Sequence, residues 1–79
     1  DIAEQNELAE KIQAALQSLP VNYRMAVILY DLEGFSYAEI SGILDCSIGT
    51  VRSRIHRGRR LLRKKLAPYV YQGTDVEVG

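Results

Sequence analysis

Apolar residues recur along this chain at three- and four-residue steps, and breakers cut the pattern into four pieces. That periodicity is helical, and no strand-like alternation of useful length competes with it. Leu8, Ile12, Ala15, Leu16 and Leu19 predict a first helix from about Ile2 to Gln17, with Glu4, Glu7, Glu10 and Lys11 off the stripe. Ser18-Leu19-Pro20 ends it, and Pro20 suits the next helix start, where its missing N–H would be unpaired anyway. Val21, Met25, Ile28, Leu29 and Leu32 predict a second helix to about Leu32, closed by Gly34 in the left-handed conformation. Ser36-Tyr37-Ala38-Glu39 has the capping-box form S-x-x-E and opens a two-turn helix turning Ala38, Ile40, Ile43 and Leu44 inward. Asp45, Cys46 and Ser47 form a tight turn, and Ser47 caps a fourth helix running to about Leu66. Its stripe is Ile48, Val51, Ile55, Leu62 and Leu66, with Gly58 among them. Glycine in mid-helix costs about 1 kcal/mol against alanine, so Gly58 predicts a close helix contact. Pro68 reads as the stop, and residues 69–79 as a flexible tail.

The expectation is an all-α fold: a compact four-helix domain over residues 1–68 with a helix-turn-helix at about 36–66. The 79 residues suffice for one small domain. A start at Asp1 without methionine reads as a piece of a longer protein. No signal peptide is evident, and no apolar run approaches the roughly 20 residues a membrane span needs. No membrane insertion is expected. The single cysteine, Cys46, forms no internal disulfide and no zinc framework, which fits a cytoplasmic protein. No cofactor or metal is expected. No paired carboxylates, nucleophile–base pair or metal cluster suggests an enzyme.

Net charge is zero, with 10 basic and 10 acidic residues, yet the two signs are segregated. From Asp1 to Asp45 there are eight acids and two bases, Lys11 and Arg24; from Cys46 to Thr74 there are eight bases and no acid. A merely solvated helix face mixes signs for i,i+4 support. Segregation on this scale points to an anionic partner.

The two-turn helix, tight turn and long basic helix have helix-turn-helix anatomy, in which the second helix enters the major groove of DNA. Val51 and Ile55 are expected to face Ile40 and Leu44. The opposite face of the fourth helix then presents Gly49, Ser53, His56, Arg57, Arg60 and Lys64, flanked by Arg52, Arg59 and Arg63 on one side and Thr50 and Arg54 on the other. Base reading falls to the early turns, hence to Arg52, Ser53, His56 and Arg57. Arginine matches guanine O6 and N7, and Ser or His can donate or accept. Ser47, Gly49 and Thr50 surround free helix N–H groups suited to phosphate, with Gly49 permitting close approach. Arg59, Arg60 and Lys64 are expected phosphate contacts, and the hydroxyl of Tyr37 reaches a phosphate from the third helix.

Several of these residues have plainer readings. Arg54 could pair with Glu33 or Glu39 and tie the motif together. Arg63, Lys64 and Lys65 could simply favour the helix C-terminal dipole. His56 would ordinarily be a solvated surface histidine, and Cys46 a small apolar filler.

Leu19-Pro20, then the run Glu33 to Ile40, then the run Gly49 to Arg57 resemble domain 4 of bacterial sigma factors. The likeness is strongest to the extracytoplasmic-function group and its sigma-E-like members, and it covers about Leu8 to Leu66. It implies sequence-specific binding of the promoter −35 element, of GAAC-like sequence, in transcription initiation. The implied partners are double-stranded promoter DNA, RNA polymerase core through its β flap, and an anti-sigma factor. By position it assigns base reading to Arg52, Ser53, His56 and Arg57 and a backbone contact to Thr50, with His56 able to stack on a base or a thymine methyl. The chain departs from the family pattern at Ser41 and Gly58, where alanine is usual, and at Asp45, where glycine is common. Asp tolerates a left-handed turn better than most residues.

Two other classes remain open. Another helix-turn-helix regulator, such as a response-regulator output domain, leaves the Leu-Pro and Glu-Gly-Phe-Ser-Tyr runs unexplained. A helical adaptor meeting an acidic protein would bind no duplex selectively.

Overall fold

A computed structural model describes the backbone of residues 2–70 and the side chains of residues 6–69. Four helices follow one another: α1 (Ile2–Gln17), α2 (Val21–Val27), α3 (Tyr37–Leu44) and α4 (Ile48–Val70). Directly after α2, Ile28–Leu32 continues as a π-helical turn, in which the Glu33 N–H reaches the Ile28 carbonyl at 3.0 Å. Gly34 then takes φ +81°, and the Phe35 N–H closes on the Leu29 carbonyl at 3.0 Å. The expected left-handed glycine is therefore present, one wide turn after α2 proper.

Ser36 forms the capping box: its Oγ accepts from the Glu39 N–H at 3.1 Å, and the Glu39 carboxylate accepts from the Ser36 N–H at 2.8 Å. At the other end of α3, Asp45 is left-handed at φ 55°. Ser41 holds this turn twice over. Its hydroxyl donates to the Cys46 carbonyl, and its carbonyl accepts from the Cys46 N–H at 3.1 Å. Of the two, only the hydroxyl bond depends on serine rather than alanine at this position. Asp45 carries the strain of a β-carbon in the left-handed region. Asp45→Gly should therefore raise stability by about 0.5–1 kcal/mol, seen as a higher midpoint in thermal or urea unfolding.

The core has two clusters. Ala26, Ile40, Val51 and Ile55 are buried together, with Leu29, Tyr30, Phe35, Tyr37, Leu44 and Cys46 packed around them. Leu16, Leu19 and Val27 form the second, with Ile12, Ile28, Leu61 and Leu62 against it. Adjacent residues of α2 thus serve different clusters, and α4 threads through both. The expected facing of Val51 and Ile55 on Ile40 and Leu44 is found.

Three expectations need correction. Val21, Met25 and Leu32 are exposed, and the inward face of α2 is Ala26 and Val27. Gly58 explains the rotation: it lies so close to α2 that a β-carbon there would sit 2.5 Å from Val27 Cγ2 and 3.1 Å from the Tyr23 carbonyl oxygen. Ile43, Ile48, Leu8 and Ala38 are also exposed, so the inward stripes of α1, α3 and α4 are narrower than expected. Finally, α4 runs through Pro68 to Val70 rather than stopping near Leu66. Proline removes one N–H bond and crowds the preceding turn. The last turns are held nonetheless: Leu66 and Ala67 are half-buried, and Lys11 of α1 lies over the Tyr69 ring at 4.9 Å. Of the expected tail, residues 71–79 lie outside the described residues.

Candidate nucleic-acid interface

The burial of Val51 and Ile55, at 0% and 1% exposure, fixes which face of α4 remains outside. That face carries Gly49, Arg52, Ser53, His56, Arg57, Arg60, Arg63, Lys64 and Lys65, all exposed, and α4 contains no acidic residue. Helical spacing places Ser53, His56, Arg57, Arg60 and Lys64 along one strip, with Arg52 on its flank. The four residues expected to read bases are therefore brought together on the first turns of a rigidly backed helix.

The start of α4 is built by Ser47. Its Oγ accepts from the Thr50 N–H at 3.1 Å, while its hydroxyl donates to Thr50 Oγ1 at 2.9 Å. This commits the Ser47 hydroxyl to capping and leaves the Thr50 hydroxyl hydrogen free to donate outward. Thr50, Arg54 and Arg57 line one side of an open cleft whose other side is Pro20, Asn22 and Tyr23 at the start of α2. No local sequence pattern marks Asn22 and Tyr23, which meet α4 only through the fold.

Two arginines of α4 donate hydrogen bonds to groups elsewhere in the chain. Arg54 Nη1 donates to Cys46 Sγ at 3.7 Å, rather than to either Glu33 or Glu39. The Glu39 carboxylate is already turned back onto Ser36. Arg59, expected on phosphate, instead grips Asp31 of the π turn with two donors, Nε at 3.0 Å and Nη2. That bond to Asp31 holds the Arg59 guanidinium even more firmly protonated than usual. Its cation also lies over the Tyr30 ring at 5.4 Å, and Arg52 lies over the Tyr37 ring at 5.7 Å. Tyr37 is half-buried.

Among the described residues no group of three or more His, Cys, Asp or Glu side chains is placed to hold a metal ion. No described helix is long and apolar enough to cross a membrane.

A short helix, a three-residue turn and a long basic helix presenting its polar face outward define a helix-turn-helix DNA-binding domain. Residues 9–62 match the family model described as sigma-70, region 4, and the chain belongs to that family. It is 55% identical over 64 residues to the ECF RNA polymerase sigma factor SigE of Mycolicibacterium smegmatis, covering 81% of this chain and 25% of that protein. It is 45% identical over 64 residues to the ECF RNA polymerase sigma-E factors of Salmonella typhimurium and Escherichia coli, covering 81% of this chain and 34% of each. The chain thus spans between a quarter and a third of the length of these relatives.

Proposed function

We propose that this chain binds double-stranded promoter DNA at the −35 element, as region 4 of an extracytoplasmic-function sigma factor directing RNA polymerase in transcription initiation. The observation that carries this reading is the exposed strip of Arg52, Ser53, His56 and Arg57 on the first turns of α4, backed by fully buried Val51 and Ile55. Arg52 and Arg57 pair with guanine edges, Ser53 donates or accepts, and His56 stacks on a base or a thymine methyl. Thr50, the N–H groups between Ser47 and Gly49, and the Tyr37 hydroxyl take phosphates near the turn; Arg60 and Lys64 take them further along. Arg59, tied to Asp31, is removed from this set and given a structural role.

The domain is non-catalytic and cytoplasmic, and its protein partners are the polymerase core, through the β flap, and an anti-sigma factor. Val21 and Met25, one turn apart and exposed on α2, support a protein-facing role for that helix.

Fluorescence anisotropy with the chain and two labelled duplexes, one carrying a GAAC-like element and one scrambled, tests the reading. The matched duplex should bind more tightly at every salt concentration; equal affinities would overturn sequence recognition. In the same titration Arg60→Ala or Lys64→Ala should weaken both duplexes alike and lower the salt slope by about 1.

A further inference from the structure

Four side chains form a continuous stack across the helix-turn-helix. The Arg52 guanidinium lies over the Tyr37 ring at 5.7 Å, and the Tyr37 ring packs against Tyr30 at 5.0 Å with an interplanar angle of 44°. The Tyr30 ring in turn lies under Arg59 at 5.4 Å, and Arg59 is clamped by both oxygens of Asp31. Both rings are also packed against the core cluster of Ala26, Ile40, Val51 and Ile55. The stack therefore begins at a fixed ion pair and ends at a residue of the reading face.

We propose that Tyr37, held by Tyr30 and the Arg59–Asp31 clamp, is a positioning residue that sets the approach of Arg52 to its base. The proposal rests on the assignment of Arg52 to base reading made above. An exposed arginine has several rotatable bonds, and freezing them on binding opposes affinity. A guanidinium already resting on an aromatic face has lost part of that freedom before DNA arrives. The effect falls on one base position, because only Arg52 touches the Tyr37 ring among the cations of the reading strip. The ring and the hydroxyl of Tyr37 then have separate duties: the ring orients Arg52, and the hydroxyl faces phosphate.

The test uses the matched duplex and a set of its single-base-pair variants, with the wild-type chain, Arg52→Ala, Tyr37→Phe, Tyr37→Leu and the Arg52→Ala/Tyr37→Leu double variant. Arg52→Ala identifies the position that Arg52 reads. Tyr37→Leu should reduce discrimination at that same position by about threefold to tenfold, as expected for loss of one ring contact. Tyr37→Phe should keep that discrimination while weakening all duplexes evenly, and the double variant should lose no more preference than Arg52→Ala. Tyr37→Met, which refills the half-buried site, replaces Tyr37→Leu if melting shows that the leucine variant is unfolded. In the DNA-free protein, the Arg52 side-chain NMR resonances should show a ring-current shift that Tyr37→Leu abolishes. Positioning is overturned if Tyr37→Leu lowers affinity evenly at all positions, or if Arg52 shows no ring-current shift. If Arg52→Ala alters preference nowhere, the base-reading assignment itself is wrong and the positioning role falls with it.

Discussion

Replacing Gly58 by alanine should destabilise this domain by about 1–3 kcal/mol, although alanine is the better helix former. The added methyl would lie 2.5 Å from Val27 Cγ2 and 3.1 Å from the Tyr23 carbonyl oxygen. Neither neighbour yields easily. Val27 is β-branched, is 2% exposed and sits in a helix, where one rotamer dominates; Tyr23 presents backbone. The alternative is to move α2 away from α4, which would loosen Ala26 and Val27 in both core clusters at once. Helix propensity returns about 1 kcal/mol, less than overpacking removes. A domain of this size has only about 4–12 kcal/mol in total, so the loss should show as a clear fall in melting temperature. Val27→Ala opens space for the methyl, so the Gly58→Ala/Val27→Ala double variant should be more stable than the two single effects sum to. Strict additivity in urea unfolding would show that the contact is not tight.

The second large effect concerns DNA. Arg57→Ala and Arg52→Ala should each weaken binding to a matched duplex by about 1–3 kcal/mol, roughly fivefold to 150-fold, and relax preference at one base pair. Both side chains are exposed, on a helix whose inner face is locked by Val51 and Ile55. Their removal therefore leaves no cavity and no buried orphan, and melting temperature should hardly change. Competition between matched and scrambled duplexes separates this outcome from loss of charge alone. A variant that merely lost charge would weaken on both.

Features set by neighbours in sequence were legible before the fold was known. The capping box at Ser36, the left-handed Gly34, the three-residue turn and the Ser47 cap each depend on residues within a few positions of one another. The close contact at Gly58 was also legible, because a glycine on an apolar stripe costs helix stability without some packing reason. Features that depend on a distant element were not. Size and spacing point Val21, Met25 and Leu32 inward, whereas the narrow gap between α2 and α4 admits Ala26 and Val27. Pro68 read as a stop because nothing local shows the half-buried Leu66 and Ala67 or the Lys11–Tyr69 contact beside it. Nothing near Arg59 in the sequence reveals its partner, because Asp31 lies 28 residues earlier in the chain. The exposure of Arg52, Ser53, His56 and Arg57 was legible because two buried positions on a helix fix the direction of all the others.

Selection of bound sequences from a random duplex pool tests the central claim most directly. The wild-type chain should enrich a short GAAC-like element, and the chain carrying Arg57→Ala should enrich the same element with one position no longer constrained. A pool that shows no enrichment, or an element unchanged in both Arg52→Ala and Arg57→Ala, would contradict the account of α4 as the helix that reads the promoter.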